Sequence, residues 1–123
     1  MSRVLIVDDD QDLREMIHLI VKKQGFEVAM AENGEDFLEK IDCFHPDLVT
    51  LDVMMPGLTT LEILQKLKKK KHHPKIVLLT VVRYSEKERQ DLFEKGNIVD
   101  YLTKPFEVND LIHTIQKHLG KNS

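Results

Sequence analysis

The chain has 123 residues, enough for one domain around one buried core, with 41% apolar residues and a formal net charge of −3. That charge is too balanced to make nucleic acid or an anionic membrane the main partner, and no apolar stretch has the length of a transmembrane helix. Cys43 is the single cysteine, which excludes an internal disulfide and fits a reducing cytoplasm. Met-Ser-Arg leads directly into an apolar run, leaving no room for a signal peptide.

Apolar runs and helical periodicities then alternate five times, the pattern of a repeated βα unit and a parallel sheet. The first strand is predicted over residues 3–7 and stops at Asp8-Asp9-Asp10. Leu13, Met16, Ile17, Ile20 and Val21 follow at helical spacing, with Lys22, Lys23 and Gly25 closing that helix. Asp10 is placed to cap it. A second strand over 26–30 carries Glu27, and Asn33 can cap a second helix that buries Phe37, Leu38 and Ile41.

The third strand, over 47–51, stops at Asp52, and Pro56-Gly57 then demand a loop. Thr59 with Glu62 forms a capping-box pattern for the third helix, which ends in lysines 68–71 and His72-His73. Cations at a helix C-terminus complement its dipole, so this run reads as a solvated end remote from the site. A fourth strand over 75–79 stops at Thr80, and Ser85 with Glu88 starts the fourth helix. The fifth strand, over 98–102, carries Asp100 and leads to Lys104-Pro105. Val108, Leu111, Ile112, Ile115 and Leu119 stripe a last helix that stops at Gly120.

The first and fourth runs are wholly apolar and the third is interrupted only by Thr50, as suits strands covered on both faces. The charged second and fifth runs suit the sheet's edges. That arrangement is the doubly wound order 2-1-3-4-5 of a flavodoxin-like (βα)5 fold.

In such a sheet the C-terminal strand ends share one edge, and ligands bind outside it. Asp8, Asp9, Asp52, Thr80 and Lys104 would all meet there. Clustered carboxylates repel one another and call for a divalent cation, while a hydroxyl and an ammonium suit an oxyanion such as a phosphoryl group.

The segments Val-Asp8-Asp9-Asp10, Leu-Asp52-Val-Met-Met-Pro56-Gly57, Leu-Leu-Thr80 and Asp-Tyr101-Leu-Thr-Lys104-Pro105-Phe106 stand in order along the chain. Together they resemble the receiver domain of two-component response regulators, of the chemotaxis-regulator kind, over residues 1–123. The resemblance implies that Asp52 accepts the phosphoryl group, that Asp9 and Asp52 bind Mg²⁺ directly, and that Asp8 acts through a metal-bound water. The Met54 carbonyl would be a further ligand. Lys104 and Thr80 would contact phosphoryl oxygens, and Tyr101 would be the switch that follows Thr80. Lys104-Pro105 would be cis, an isomer that X-Pro bonds tolerate.

The partners so implied are a sensor histidine kinase and a downstream effector protein or covalently linked effector domain, with phosphorylation-dependent dimerisation as one further outcome. Such a domain is a signalling switch, not an enzyme on other substrates. It catalyses only its own phosphorylation and slow dephosphorylation.

Three departures stand out. Thr59-Thr60 replace the family's common Asp-Gly, Val81 replaces a small residue, and Gly96-Asn97-Ile98 replace Gly-Ala-Asp. Met54 and Val82, the positions bordering an attacking water in the family, are both apolar, and a slow loss of phosphate is expected.

A haloacid-dehalogenase-like phosphohydrolase is the rival reading. Asp8 would be its nucleophile, Asp10 has the required i+2 spacing, and Thr80 would be its second motif. No late acidic pair follows, and Asp52 would have no role. A degenerate receiver would lack a key residue, and none is missing. A flavin binder would want a phosphate-binding loop where three carboxylates stand.

Overall fold

A computed structural model of the chain describes residues 2–81, 84–94 and 97–120. The strands β1 (Arg3–Val7), β2 (Glu27–Ala31), β3 (Leu48–Asp52), β4 (Lys75–Thr80) and β5 (Ile98–Thr103) form one parallel sheet in the order β2-β1-β3-β4-β5. Between and after them run α1 (Gln11–Lys23), α2 (Gly34–Phe44), α3 (Thr60–Leu67), α4 (Glu86–Glu94) and α5 (Val108–Leu119). No helix among the described residues is long and apolar enough to cross a membrane.

Side chains alternate across a strand, so each central strand supplies two apolar faces. Val4 and Ile6 of β1 join Val77 and Leu79 of β4 against Ile17 and Val21 of α1 and Leu111 and Ile115 of α5. Leu5 and Val7 join Ile76 and Leu78 against Phe37 and Ile41 of α2 and Ile63, Leu64 and Leu67 of α3. The fully apolar runs are therefore the doubly covered ones. At the α2–α3 contact, a Cβ on Gly34 would stand 2.7 Å from Cδ1 of Ile63, so the helix starts where only glycine fits without a shift.

The caps follow the expected chemistry. Asp10 accepts from the N–H groups of Asp12 and Leu13, and Asn33 accepts from that of Asp36. Thr59 and Glu62 bond reciprocally, as do Ser85 and Glu88.

Four strands differ from the predicted ranges, and each ends one residue later. Backbone ladders do not require apolar side chains, so in β3, β4 and β5 pairing continues through the polar residue that ends the apolar run, while β2 runs on to Ala31. Thus Asp52 pairs in register with Leu79, and Thr80 with Thr103. Phe26 is buried against the α1/α5 layer but precedes β2. The helical stripes also differ at single positions. Met16 of α1 and Val108 of α5 are exposed, and Met16 lines a surface groove, while Leu13, nearer the site, packs on the core.

Candidate functional site

Strand ends and the loops after them build the site. Asp8 directly follows β1, and its N–H extends the ladder to the carbonyl of Ala31 at 3.1 Å. Its carbonyl accepts from the Arg14 guanidinium of α1 at 2.8 Å. The carboxylate is fully buried, with Oδ1 accepting from the N–H of Asp10 at 3.0 Å. Asp52 ends β3 and is 4% exposed; its Oδ1 accepts from the N–H of Met54 at 3.0 Å. The N–H of Val53 meanwhile continues the ladder to the carbonyl of Leu79, fixing the chain beyond Asp52. Gly57 then turns the loop at φ +94°, a conformation that a β-carbon disfavours.

Lys104 comes from the far side of the sheet. Its N–H donates to the carbonyl of Thr80 at 2.7 Å, and the Lys104–Pro105 bond that follows is cis. The ammonium lies 3.4 Å from Oδ2 of Asp8 and 3.4 Å from Oδ1 of Asp52, bridging two segments that are distant in sequence. Thr80 ends β4 and is fully buried.

Asp9 is exposed at the mouth, and one oxygen each of Asp8, Asp9 and Asp52 lies within 4.8 Å of the others. Three hard oxygens so spaced, open to solvent on the Asp9 side, fit a divalent cation of the Mg²⁺ type that keeps some of its waters. The electrostatics agree with that chemistry. Burial pushes the Asp8 carboxyl above the ordinary carboxylate range, and the Asp52 charge pushes it further. The Asp10 N–H and the Lys104 ammonium oppose the shift. A cation at this point would relieve the penalty that the Asp8 carboxylate carries.

All five strand-end residues named from the sequence thus reach one edge. Met54 stands beside them with its side chain 62% exposed, and Tyr101 lies one layer back, half-buried on β5. Val81 is 57% exposed and lines a groove together with Lys104, Pro105 and Phe106. Val82 and Gly96 fall outside the described residues.

The phosphohydrolase alternative loses its geometry here. Asp10 spends Oδ1 on the first turn of α1, and Asp8 is buried with both oxygens engaged. Arg14 went unnoticed in the sequence, since a lone arginine on a helix is indistinguishable there from a surface charge. The groove of Leu13, Met16, Val81, Lys104, Pro105 and Phe106, about 390 Å³, went unnoticed as well. The apolar spacing of α1 marked Leu13 and Met16, but as core.

The family model of the response regulator receiver domain matches residues 4–116. Among solved structures, the signal receiver domain of a response regulator from Bermanella marisrubri is 33% identical, with 97% of this chain and 99% of that one covered and a TM-score of 0.83. The chemotaxis response regulator CheY4 of Vibrio cholerae is 29% identical, covering 95% and 98%, with a TM-score of 0.84. A CheY-like receiver domain protein from Methanospirillum hungatei JF-1 is 28% identical, covering 97% and 94%, also with a TM-score of 0.84. With five parallel strands in the order 2-1-3-4-5 and acidic groups gathered at their C-terminal edge, this chain belongs to the response regulator receiver domain family.

Proposed function

We propose that the protein is a Mg²⁺-dependent phosphoacceptor switch that takes a phosphoryl group onto Asp52 from a partner histidine kinase. The observation that carries this reading is the joint placement of three carboxylates within 4.8 Å and one ammonium 3.4 Å from two of them. An Asp52 carboxylate oxygen forms the new bond to phosphorus. The bond from phosphorus to the donor's imidazole nitrogen breaks, and its electron pair stays on the imidazole.

Asp9 and Asp52 would hold the ion directly, Asp8 through a water, with the Met54 carbonyl as a further ligand. Bound there, Mg²⁺ would offset charge on the nucleophile and on the phosphoryl oxygens. Lys104 would move from its present bridge onto a phosphoryl oxygen, exchanging one anionic partner for another. Thr80 would donate its hydroxyl to a second oxygen, and Tyr101 would repack in response. The apolar groove beside Lys104 offers the incoming donor a surface next to the reacting group. The reducing cytoplasm is the compartment this chemistry fits, and the output passes to an effector protein or linked effector domain.

Incubation with acetyl phosphate and MgCl₂ tests the reading by intact mass. One phosphoryl group should be added, then lost at alkaline pH as an acyl phosphate is. Asp52→Asn should not gain it. An Asp52→Asn protein that is still labelled, alongside an unlabelled Asp8→Asn protein, would restore the phosphohydrolase.

A further inference from the structure

The helix α4 has no buried residue; its sequence, Glu-Lys-Glu-Arg-Gln-Asp-Leu-Phe-Glu, gives it almost no apolar face. A short helix of that kind has little packing to hold it against a sheet. Two features connect it to β5. Leu92 packs from its partly buried position against the α2/α3-side core, to which Tyr101 also contributes. The Arg89 guanidinium stands over the Tyr101 ring, 5.6 Å from its centroid. Among the described residues that guanidinium has no carboxylate partner, although acids surround it on its own helix.

Tyr84, just before α4, meets the same ring edge-on, with centroids 5.7 Å apart and planes at 76°. Tyr101 is therefore held from the α4 side by a cation on its face and a second aromatic ring. On β5 it pairs in register with Leu78, two residues before Thr103 pairs with Thr80. Any repacking that begins at the site and reaches Tyr101 must part these contacts.

We propose that Arg89 is a clamp on the switch: its cation–π contact with Tyr101 fastens α4 in the unphosphorylated arrangement and sets the ease with which phosphorylation releases it. This rests on the phosphoacceptor reading of Asp52 and on Tyr101 as the element that moves. Both states share one chain, so whatever stabilises the resting arrangement weakens affinity for a phosphoryl group by the same factor. A solvent-accessible cation–π contact corresponds to a factor of about 2 to 5 in that equilibrium.

Three variants separate charge from bulk: Arg89→Ala, Arg89→Met, which keeps an unbranched apolar chain, and Arg89→Lys, which keeps a cation. Hydrogen exchange of the α4 amides in metal-free protein reads the clamp directly. It should be faster by about 2- to 5-fold in the Ala and Met variants and near the parent in Lys. Titration with Mg²⁺ and beryllofluoride, a phosphoryl mimic, followed by tyrosine fluorescence, reads the coupling. The Ala and Met variants should bind about 2- to 5-fold more tightly than the parent, and Lys should restore the parental value.

Equal affinity in all four proteins overturns the clamp, whatever the exchange shows. Unchanged exchange overturns it too. No beryllofluoride binding by the parent sinks the phosphoacceptor reading itself, and the coupling with it.

Discussion

Asp8 carries two opposed demands. To serve a cation it would have to be deprotonated, yet burial holds its carboxyl above the ordinary range, with the Asp52 charge adding to the shift. A group whose pKa is raised on folding contributes stability that is complete below its unfolded value, near 3.8, and lost as pH climbs through the folded one. Metal-free protein should therefore lose stability as pH rises through that window. Asp8→Asn, which cannot ionise, should lose less over the same range. Urea unfolding in EDTA at a series of pH values from 4 to 7 measures both slopes, and parallel curves would show that Asp8 is not the group responsible. The amide can still accept from the Asp10 N–H, so the comparison isolates the charge and leaves that hydrogen bond in place.

At the scale of elements, β3 is the strand with an internal cost. Thr50 is fully buried at its centre, and its hydroxyl is the buried side-chain polar atom without a hydrogen-bond partner among the described residues. Valine matches its shape without the oxygen, so Thr50→Val should raise stability by about 1 to 2 kcal/mol. A shift of the urea midpoint at unchanged slope would show it. A loss of stability would instead mean that the hydroxyl bonds a buried water.

The same strand shows what a sequence discloses and what it withholds. Its run, apolar but for Thr50, and its terminal Asp52 located the strand and its central place, because burial on two faces favours apolar residues at successive positions. The one-residue extension through Asp52 was not legible, since ladder bonds run between backbones. Capping pairs such as Thr59–Glu62 were legible because their chemistry is local. Arg14 on the Asp8 carbonyl and Arg89 on Tyr101 were not, for each joins elements whose facing depends on the packed fold. The exposure of Met16 was not legible for a related reason: helical spacing gives a face, but not which of its members the neighbouring elements cover.

Over the whole molecule, the site is where separate parts of the fold are tied together. Asp8 follows β1, Asp52 ends β3, and Lys104 follows β5, so one centre joins an inner strand pair to the sheet's edge. Without a cation, the ammonium must serve two carboxylates while the exposed Asp9 adds a third charge. Two unit charges about 4 Å apart repel by roughly 1 kcal/mol even in a water-like dielectric, and more when partly buried. Asp9→Ala should therefore be at least as stable as the parent in EDTA, and more so if repulsion dominates.

Saturating Mg²⁺ should reverse the order. A ligand that binds only the folded state stabilises it by about 2.7 kcal/mol at one hundred times its Kd. The parent should gain accordingly, while Asp9→Ala, lacking one ligand oxygen, should gain much less. Thermal unfolding of both proteins with EDTA and with excess MgCl₂ gives the four values needed. Crossing of the two proteins' stabilities between these conditions is the expected result. If Mg²⁺ stabilises both by the same amount, Asp9 is not a ligand, and the cation is held by Asp8 and Asp52 alone or binds elsewhere.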